Sequence, residues 1–576
     1  MKQDTKRIPY GRNDFVQIIE QNNYYVDKTM YLPALEDEAV NLFFIRPRRF
    51  GKSVFISMLQ AYYDCNMKDK FKNLFGNLWI GKNPTPLQGK YLVLYLDFSQ
   101  VGGRIDQLED KFNRYCKVKL DSFVDVYRQY YSEDFVKKVF EAEDAVDKLI
   151  LINDESKKQN LRTYLIIDEY DNFTNTVLNE QGEGVYRAIT HAEGFYRDIF
   201  KKFKGSFERI FMTGVSPVTL DDVTSGFNIG TNYSLSAEFN EMTGFTEEEV
   251  REMLTYYSSV CPFRHSVDEL IQVMKPWYDN YCFAINRYGQ VTMYNSVMVL
   301  YFIDQYIHNN CDIPRDMIED NIRVDYNKLR MLIRHDKEFA HDASIIQHLV
   351  TEGFVTGNLK RGFPAESIND PDNFVSLLFY FGMLTIDGTY RGKTKFVIPN
   401  EVVREQIYAY LLSTYKENEL AYDTYQKSDL ESGFAYDGDY KSYFGFIADA
   451  IKRYSSQRDR QKGESYVHGF TLAMTCQNMF YRPISELDNQ AGYADIFLRP
   501  LLENYPDMEH SYIVELKYCK SDATDEQVAK LREAAIAQVN RYADSDVVKT
   551  EVKTTRLHKI VVIFRSVDMV VCEEIE

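Results

Sequence analysis

The residues of this chain best suited to phosphate chemistry lie in two short motifs, Gly51-Lys52-Ser53 and Asp168-Glu169. Backbone N–H groups of a loop that opens a helix attract phosphate oxygens, and Lys52 would reach the β- and γ-phosphates of a nucleotide. Ser53 and Asp168 would hold Mg²⁺, while Glu169 would polarise the attacking water. These residue types therefore predict hydrolysis of ATP with Mg²⁺ as cofactor.

Each motif follows an apolar run that is typical of a buried strand. Leu42 to Ile45 precede the loop and Val54 to Tyr63 follow it at helical spacing, while Thr163 to Ile167 precede the acids. Taken singly, a Gly-Lys-Ser sequence occurs by chance, and a strand can simply end in solvated acids. Their joint occurrence in a β/α pattern favours a nucleotide site. The predicted nucleotide-binding residues are Arg49, Phe50, Gly51, Lys52, Ser53, Val54, Asp168 and Thr213.

Further strands predict the sheet that positions these groups. Apolar runs at 91–98, 209–214 and 234–239, separated by helical segments, indicate an α/β fold, a P-loop NTPase parallel sheet with helices on both faces. In triphosphatases with a catalytic glutamate, one strand lies between the strand before the phosphate loop and the strand before the acids, and its polar tip senses the γ-phosphate. The strand at 209–214 corresponds to it. We predict that role for Thr213, with Ser216 in reserve. The alternative is a hydroxyl that only caps a strand end.

A second set of candidate catalytic residues, Asp495, Glu515 and Lys517, lies near the C-terminal end. Strand alternation places Glu515 and Lys517 on one face, and Asp495 on the neighbouring strand could join Glu515 to hold Mg²⁺ or Mn²⁺. Lys517 would orient water or offset the charge that builds on a phosphate. This pattern predicts phosphodiester cleavage, although amphipathic strands also produce it by chance.

Segments 25–29, 46–53, 96–99, 167–171, 214–216 and 244–246 occur in this order in one bacterial family. The chain resembles the AAA-ATPase-like proteins that carry a C-terminal PD-(D/E)xK nuclease-superfamily domain, and the resemblance covers nearly the whole chain. It implies that Arg46, at the position where phosphate loops usually have glycine, is a trait of the family.

The resemblance also implies roles around the second site. Glu464, on a helix before the strands, matches the additional metal-binding acid of the superfamily, and Gln538 and Tyr542 match a Gln and a Tyr after the lysine. Packing on the sheet is the alternative for Gln538 and Tyr542. A final strand at 559–564 completes a restriction-endonuclease-like α/β domain, which is either catalytic or retained as a binding module.

Composition excludes several classes of protein. Hydrophobic content of 45 % and aromatic content of 15 % in 576 residues indicate several folded domains. A net charge of −18 argues against a uniformly basic nucleic-acid-coating surface, although it allows a local basic groove. Eight cysteines without CxxC spacing, and an N-terminus without a signal-peptide core, indicate a cytoplasmic protein with reduced thiols and no membrane span.

Four regions are predicted along the chain. They are an AAA-like ATPase domain (1–250), a mostly helical, winged-helix-like lid region (251–415), an acidic linker or exposed helix (416–440) and a nuclease-like domain (441–576). The hairpin of the winged helix is expected at 382–388 and 395–399. Because no Lys/Arg stripe marks a recognition helix, a lid that reports nucleotide state is preferred to nucleic-acid contact.

The sequence thus predicts an ATPase coupled to a metal-dependent nuclease, acting in nucleic-acid processing or in defence against foreign nucleic acid. Its partners would be ATP and nucleic acid, with DNA favoured over RNA, and a homo-oligomer is compatible with the sequence. The first alternative is a nucleotide-driven signalling switch whose C-terminal domain only binds nucleic acid or a protein. The second is a structural interaction protein in which both sites are silent.

Overall fold

The computed structural model describes residues 5–102, 107–172, 195–218, 230–319, 345–364, 367, 370–416, 424–454, 463–484, 496–502 and 504–576. The chain forms two compact units that alternate along the sequence. The first comprises Met1–Asp312, Met317–His335 and Thr356–Asn400, and the second comprises Ile313–Asp316, Asp336–Val355 and Glu401–Glu576.

A five-stranded sheet with the order β2-β3-β4-β1-β5 is the centre of the first unit. Its strands are β1 (Asn41–Ile45), β2 (Leu92–Asp97), β3 (Thr163–Asp168), β4 (Arg209–Gly214) and β5 (Thr231–Asn232). The described pairings are all parallel, and β1, β3 and β4 are buried along their whole length, as expected for strands covered on both faces. β4 lies between β1 and β3, as the sequence predicts, so the strand ends that carry the candidate site are neighbours.

The fifth strand ends earlier than expected, and the prediction of a strand at 234–239 was wrong. The side chain of Asn232 accepts hydrogen bonds from the backbone N–H (2.9 Å) and the hydroxyl (2.5 Å) of Ser234, which turns the chain. Ser234 Oγ in turn accepts the N–H of Ile45 at 2.7 Å. The segment therefore caps β1 instead of extending the sheet.

Helices cover the sheet of the first unit. They are α1 (Phe15–Glu20), α2 (Leu32–Asp37), α3 (Lys52–Tyr63), α4 (Phe71–Phe75), α5 (Trp79–Lys82), α6 (Leu108–Val126), α7 (Glu133–Glu141), α8 (Ala145–Lys158) and α9 (Phe195–Ser206). α3 packs against β2 and β3, and α6 packs against β2. The core beneath α3 includes Leu42, Phe44, Phe55, Leu59 and Phe211, whose burial drives this packing.

The chain continues through a mostly helical region. Its elements are α10 (Glu247–Val260), α11 (Val267–Tyr278), α12 (Ser296–His308), α13 (Ile345–Glu352), β6 (Phe354–Gly357), α14 (Pro371–Tyr380), β7 (Thr385–Tyr390) and β8 (Lys393–Val397). Of these, α13 belongs to the second unit. Thr246 and Glu249 form a capping box at the start of α10, and β7 and β8 pair as an antiparallel hairpin.

A second five-stranded sheet, with the order β13-β12-β11-β10-β9, organises the second unit. The elements are α15 (Glu401–Lys416), α16 (Thr424–Ser432), α17 (Tyr440–Tyr454), α18 (Glu464–Cys476), β9 (Tyr481–Ile484), β10 (Ile496–Pro500), β11 (His510–Cys519), α19 (Asp525–Ala543), α20 (Asp546–Glu551), β12 (Arg556–Arg565) and β13 (Asp568–Ile575). β11 and β12 are parallel, the other neighbours are antiparallel, and α19 packs on β11 and β12. Among the helices that the structure describes, none is both long and apolar enough to cross a lipid bilayer.

Residues 424–437 lie in the stretch for which the sequence predicts an acidic linker or an exposed helix, and they are helical and packed. Phe434 is completely buried, and its ring stacks on Tyr512 and Tyr443 with centroid distances of 3.9 Å and 4.4 Å. The side chains of Lys427 and Glu431 form a buried ion pair. The buried positions of this stretch are thus Phe434, Ala435 and the ion pair itself. The many acids around them are the reason that charge alone indicated a linker or an exposed helix.

Candidate functional sites

The loop between β1 and α3 contains two residues in the left-handed conformation. Gly51, which caps α3, has a φ of 79°, and Arg49 has a φ of 68°. The backbone of Arg49 is held by α12, because Ser296 Oγ and the N–H of Val297 donate to its carbonyl at 3.1 Å and 3.3 Å. Among the described residues no side chain caps the N-terminus of α3, so its first turn is suited to an anion.

Lys52, Ser53 and Asp168 come together at the ends of β1 and β3. Lys52 Nζ donates to the carbonyls of Arg46 (3.0 Å) and Pro47 (2.9 Å), and burial lowers the pKa of this lysine while the charges of Glu169 and Asp168 raise it. Ser53 Oγ donates to Asp168 Oδ2 at 3.0 Å. The hydroxyl and the carboxylate that the sequence assigns to one metal ion are thus in direct contact.

The two acids after β3 have different environments. Burial and the charge of Glu169 raise the pKa of Asp168 to about 6, whereas Lys52 and the Ser53 hydroxyl lower it. Glu169 has a φ of 51°, and its N–H donates to Asp168 Oδ1 at 2.9 Å. A third acid, Asp171, is buried and accepts the N–H groups of Val215 and Ser216 at the end of β4. Its role was not predicted, because the sequence gives no sign of which distant amides it binds.

The predicted sensor of the γ-phosphate is engaged within the sheet. Thr213 is buried, and its hydroxyl donates to the carbonyl of Phe44 in β1 at 2.6 Å. The reserve candidate, Ser216, accepts the N–H of Val218 through Oγ at 3.2 Å. The Thr213 hydroxyl therefore stabilises the end of its strand, which was the alternative considered for it, and the Ser216 hydroxyl makes a local turn bond. A sensing role for either residue stays a prediction.

Arg46 is fully buried at the start of the loop. Its guanidinium donates to the carbonyls of Ile45 (3.0 Å), Ser234 (2.6 Å) and Phe239 (3.0 Å). It also lies between the rings of Phe44 and Phe283, with Cζ 4.3 Å and 4.2 Å from the two centroids. Burial lowers its pKa to about 9. Arg46 thus ties the phosphate loop to the segment after β5.

A cavity of about 90 Å³ lies beside the phosphate loop in the first unit. Its wall combines Tyr24, Tyr25 and Val26 with Phe50 and Val54 of the loop and α3, and the surface that it presents is mainly apolar. Met253 of α10 and Leu300 of α12 close it. The contributions of α10 and α12 to this cavity could not be predicted from the sequence, because no local pattern specifies them.

The Tyr25-to-Thr29 motif is anchored to α10 at the edge of this cavity. Lys28 Nζ donates to both carboxylate oxygens of Glu249 (2.6 Å and 2.8 Å) and to the carbonyl of Glu241 (2.9 Å). Asp27 accepts the hydroxyl of Thr29 at 2.6 Å. A buried ion pair with several hydrogen bonds fixes this segment against α10.

The helical region also contacts the phosphate loop directly. The ring of Phe50 meets the rings of Tyr281 and Phe283 edge-on, at centroid distances of 4.9 Å and 5.3 Å. Gly382, just before β7, is so close to the loop that a Cβ on it would lie 2.8 Å from the Cβ of Pro47. A change in the shape of the phosphate loop would therefore alter the packing of the segments that follow α11 and α14.

The second site is built on β11 and α19. Glu515 is completely buried, and its Oε1 lies 2.7 Å from Lys517 Nζ, so strand alternation places the two side chains on one face as predicted. Lys517 Nζ also donates to Gln538 Oε1 at 3.2 Å. Tyr542, one turn beyond Gln538, is buried in the core between α19 and the sheet, which was its alternative role.

The other two acids predicted for the second site are Asp495 and Glu464. Asp495 lies outside the described residues. Glu464 is exposed at the first position of α18, near Tyr518, whose pKa is raised by burial, by Cys519 and by the charge of Glu464. In the described part of the chain no group of three or more metal-binding side chains is assembled.

The donor chemistry of both sites fits a hard divalent cation. Ser53 and Asp168 offer a hydroxyl and a carboxylate in contact, which suits Mg²⁺. Glu515 also offers a carboxylate, but the ammonium group of Lys517 is already in contact with it and would compete with a cation. The first pair therefore fits more completely than the second.

Two family models match the chain. Residues 9–224 match the family described as predicted AAA-ATPase, and residues 462–574 match the PD-(D/E)XK nuclease superfamily. Both matches agree with the resemblance stated from the motifs, which is thereby confirmed. The loop and Asp168 fall within the first match, and Glu515 and Lys517 fall within the second.

A curated relative and two solved structures are also similar to the chain. The relative, "Uncharacterized protein in vnfD 5'region" of Azotobacter chroococcum, is 24 % identical over 251 residues, which are 42 % of this chain and 44 % of that protein. The chain therefore matches less than half of the relative's length. Cdc6p of Pyrobaculum aerophilum is 11 % identical and covers 70 % of this chain and 96 % of its own, with a TM-score of 0.25. The ORC2 protein of Aeropyrum pernix is 14 % identical and covers 67 % and 93 %, with a TM-score of 0.29.

Proposed function

Since the chain joins a predicted AAA-ATPase domain to a PD-(D/E)XK nuclease-superfamily domain, we propose that it couples ATP hydrolysis to metal-dependent cleavage of phosphodiesters. The observation that carries the first half is the contact of Ser53 with Asp168 beside the buried Lys52. The observation that supports the second is the contact of Glu515 with Lys517 on one strand face.

In the ATPase, the N–H groups of the loop and Lys52 bind the phosphates. Lys52 must exchange its two loop carbonyls for phosphate oxygens, which are stronger acceptors for an ammonium group. Mg²⁺, held by Ser53 and Asp168, would supply positive charge against the phosphate oxygens. Glu169 then holds the attacking water and accepts its proton.

The apolar cavity beside the loop suits the base of the nucleotide. It adjoins Phe50, Gly51 and Val54, which follow directly on the phosphate-binding backbone, and Tyr24 and Tyr25 offer flat faces for a ring. We place the adenine there. The winged-helix-like region around α14 and the hairpin serves as a lid that reports nucleotide state, supported by the contact between Gly382 and Pro47.

The ATPase is tested with two substitutions and one control. Lys52→Ala should abolish ATP binding in calorimetric titration, because it removes the lysine of the phosphate loop that binds the phosphates. Glu169→Gln should leave binding within about twofold and slow turnover by about 10²-fold or more. Lys72→Ala, at an exposed lysine of α4, is the control and should change neither quantity. Unchanged turnover in Glu169→Gln would remove this residue from its role.

In the nuclease, Glu515 and Asp495 would be ligands of Mg²⁺ or Mn²⁺, with Glu464 in support, and that ion would offset charge on the scissile phosphate. Lys517 stabilises the developing charge and orients water, and Gln538 holds the lysine at 3.2 Å. DNA is the favoured substrate over RNA.

The nuclease is tested on single- and double-stranded DNA and RNA, with Mg²⁺ or Mn²⁺ and with or without ATP. Glu515→Ala and Lys517→Ala should each abolish cleavage, and Lys520→Ala, at an exposed lysine just beyond β11, should not. Metal binding should be lost in Glu515→Ala and kept in Lys517→Ala, since lysine is no ligand. If wild type and Glu515→Ala cut equally, the site is misplaced.

One observation favours the alternative of a nucleotide-driven switch. Glu515 has no exposed surface, so a metal and a phosphate can reach it only after a rearrangement. In a switch, ATP would still bind, and the C-terminal domain would only bind nucleic acid or a protein. Absence of cleavage in every nucleotide state, together with ATP-dependent retention of nucleic acid on a filter, would establish that alternative.

The setting that we propose is the cytoplasm, in nucleic-acid processing or in defence against foreign nucleic acid, by a monomer or a homo-oligomer. Cells that express wild type should resist phage infection better than cells that express Glu515→Ala. Sedimentation with and without ATP would determine the oligomeric state.

A further inference from the structure

Glu169 lies on a short turn, residues 168–172, here called the catalytic turn. Its φ of 51° is a conformation that L residues adopt at a cost, and the surrounding structure must hold it there. Within the turn, the N–H of Glu169 donates to Asp168 Oδ1 at 2.9 Å, and the N–H of Asn172 donates to the carbonyl of Glu169 at 3.0 Å. These local bonds set the shape of the turn but do not fix it to the sheet.

The catalytic turn is fixed to the end of β4 by Asp171. The carboxylate accepts the N–H of Val215 at 3.2 Å through both oxygens and the N–H of Ser216 at 2.6 Å. Asp171 is 1 % exposed, so these bonds form away from solvent, where charge-assisted hydrogen bonds are strong. Residues 213–216, here called the strand tip, thus have two amides directed at one carboxylate.

Tyr170 adds bonds in the opposite direction. Its hydroxyl donates to the carbonyl of Ser216 at 2.5 Å, and its N–H donates to the carbonyl of Thr213 at 3.2 Å. The strand tip therefore gives two N–H groups to Asp171 and two carbonyls to Tyr170. Such reciprocal bonding leaves the catalytic turn and the strand tip little freedom to move separately.

Close packing at Gly214 supports the same conclusion. A Cβ at this position would lie 2.2 Å from Asp171 Oδ1 and 2.7 Å from Cε1 of Tyr170. Contacts of that length do not occur, so any side chain here would push the catalytic turn away from β4. Only glycine allows the strand tip to approach the carboxylate this closely.

Asp171 also belongs to the charge environment of the phosphate loop. The charges of Glu169, Asp168 and Asp171, in that order, raise the pKa of Lys52 against the effect of burial. The carboxylate of Asp171 therefore lies near the phosphate loop, although Glu169 and Asp168 affect Lys52 more strongly.

We propose that Asp171 is a positioning residue for ATP hydrolysis, whose carboxylate holds the catalytic turn against the strand tip so that Glu169 and β4 act as one rigid piece. The inference rests on the ATPase proposed above. It assigns to Asp171 no contact with nucleotide or water; its effect on the reaction passes through the orientation of Glu169.

The test is Asp171→Asn, which keeps the size of the side chain but replaces one acceptor oxygen by an amide group. At the place of Oδ1 this group faces the N–H of Val215, and at the place of Oδ2 it faces both N–H donors. We expect kcat to fall about tenfold or more while the Kd for ATP stays within about twofold, because binding depends on the loop and Lys52. Asp121→Asn is the matched control. It removes the acid that lies 2.6 Å from the buried Lys148, away from the site, and should lower Tm without changing kcat.

A double mutant separates positioning from a general loss of structure. If Asp171 acts through Glu169, Asp171→Asn should lower kcat little further in the Glu169→Gln background. A tenfold loss in both backgrounds would overturn the proposal. Tyr170→Phe removes the hydroxyl that donates to the carbonyl of Ser216. It is the milder variant should Asp171→Asn fail to fold, and it should lower kcat severalfold at unchanged Kd.

The outcomes also distinguish this proposal from the ATPase itself. If the wild type hydrolyses ATP and both Asp171→Asn and Tyr170→Phe do so at the same rate, the role of Asp171 is overturned and the ATPase assignment stands. Absence of turnover in the wild type, or full turnover in Glu169→Gln, would overturn the ATPase assignment and the role of Asp171 with it.

Discussion

Arg46 occupies a position at which phosphate loops usually carry glycine, yet here it is a structural residue of the first unit. Arg46→Gly would remove three hydrogen bonds and two ring contacts and would leave a cavity. We expect a loss of about 3 kcal/mol or more in the free energy of unfolding, and weaker ATP binding, measured by thermal unfolding and calorimetry. Arg391→Gly, at an exposed arginine with a φ of 48°, should cost nothing. If Arg46→Gly bound ATP more tightly at unchanged Tm, the structural role of Arg46 would be contradicted.

At this scale, the sequence predicted the residues whose partners are set by the sheet. Lys52, Ser53 and Asp168 meet because parallel strands bring their carboxyl ends to one edge. The burial of Arg46 and the amides bound by Asp171 depend on segments 234–239 and 215–216, and no local pattern specifies those contacts. The hydroxyl of Thr213 was open to two interpretations, and its bond to Phe44 favours the structural one.

Asp279, in a Trp-Tyr-Asp-Asn-Tyr stretch of the helical region, should make stability depend on pH. It is fully buried, and among the described residues its Oδ1 has no hydrogen-bond partner. Burial raises its pKa from 3.8 to about 6, although the N–H of Asn280, the Thr292 hydroxyl and Lys275 lower it. The folded state therefore binds this proton more tightly than the unfolded state. The resulting stabilisation is complete below about pH 4 and is lost as the pH rises through about 6.

Asp279→Asn should accordingly gain stability relative to wild type as the pH rises from 5 to 8. The gain should approach at most about 3 kcal/mol, which corresponds to a shift of about two pKa units. Thermal unfolding of both proteins across this range measures it, with Asp110→Asn, at an exposed acid of α6, as control. A constant difference between wild type and Asp279→Asn would rule out the titration of this group.

At the scale of elements, two glycines of the helical region allow the contact with the phosphate loop to be isolated. Gly382 and Gly392 have φ values of 77° and 81°, so alanine costs about 1 kcal/mol of backbone strain at either position. Only at Gly382 would the new methyl group meet Pro47, at 2.8 Å; at Gly392 nothing lies within 4 Å. Gly382→Ala should therefore lower Tm more than Gly392→Ala and should also weaken ATP binding. Equal effects of the two substitutions would show that the contact is unimportant.

Elements whose apolar residues recur at regular spacing could be predicted from the sequence. Elements whose ends are set by the hydrogen bonds of a single side chain could not. The central strands, the capping box of α10 and the hairpin of β7 and β8 follow from apolar runs, an N-cap pattern and turn glycines. β5 ends early because Asn232 turns the chain, and the stretch just after α16 is packed because the buried ring of Phe434 lies among its acids. Both differences arise from single side chains that outweigh the average character of their segment.

For the whole molecule, we expect the two sites to be separable, because Lys52 and Asp168 lie in the first unit and Glu515 and Lys517 in the second. Glu515→Ala should keep the full ATPase rate. Lys52→Ala should lose only the ATP dependence of cleavage and keep any cleavage that occurs without nucleotide. Both activities should be measured on both variants, with Tm as a control for folding. Loss of ATPase in a well-folded Glu515→Ala protein would contradict this separation.

The alternation of the two units along the chain limits how such a protein can be recombined. Helix α13 belongs to the second unit and packs against α18, although the chain returns to the first unit before α15 begins. A crossover between two related genes near residue 400 would exchange the second sheet but leave behind a helix that packs against α18 of the same unit. Recombination between related genes could therefore exchange this nuclease-like part only together with α13. The two halves of the gene are accordingly expected to stay together during evolution.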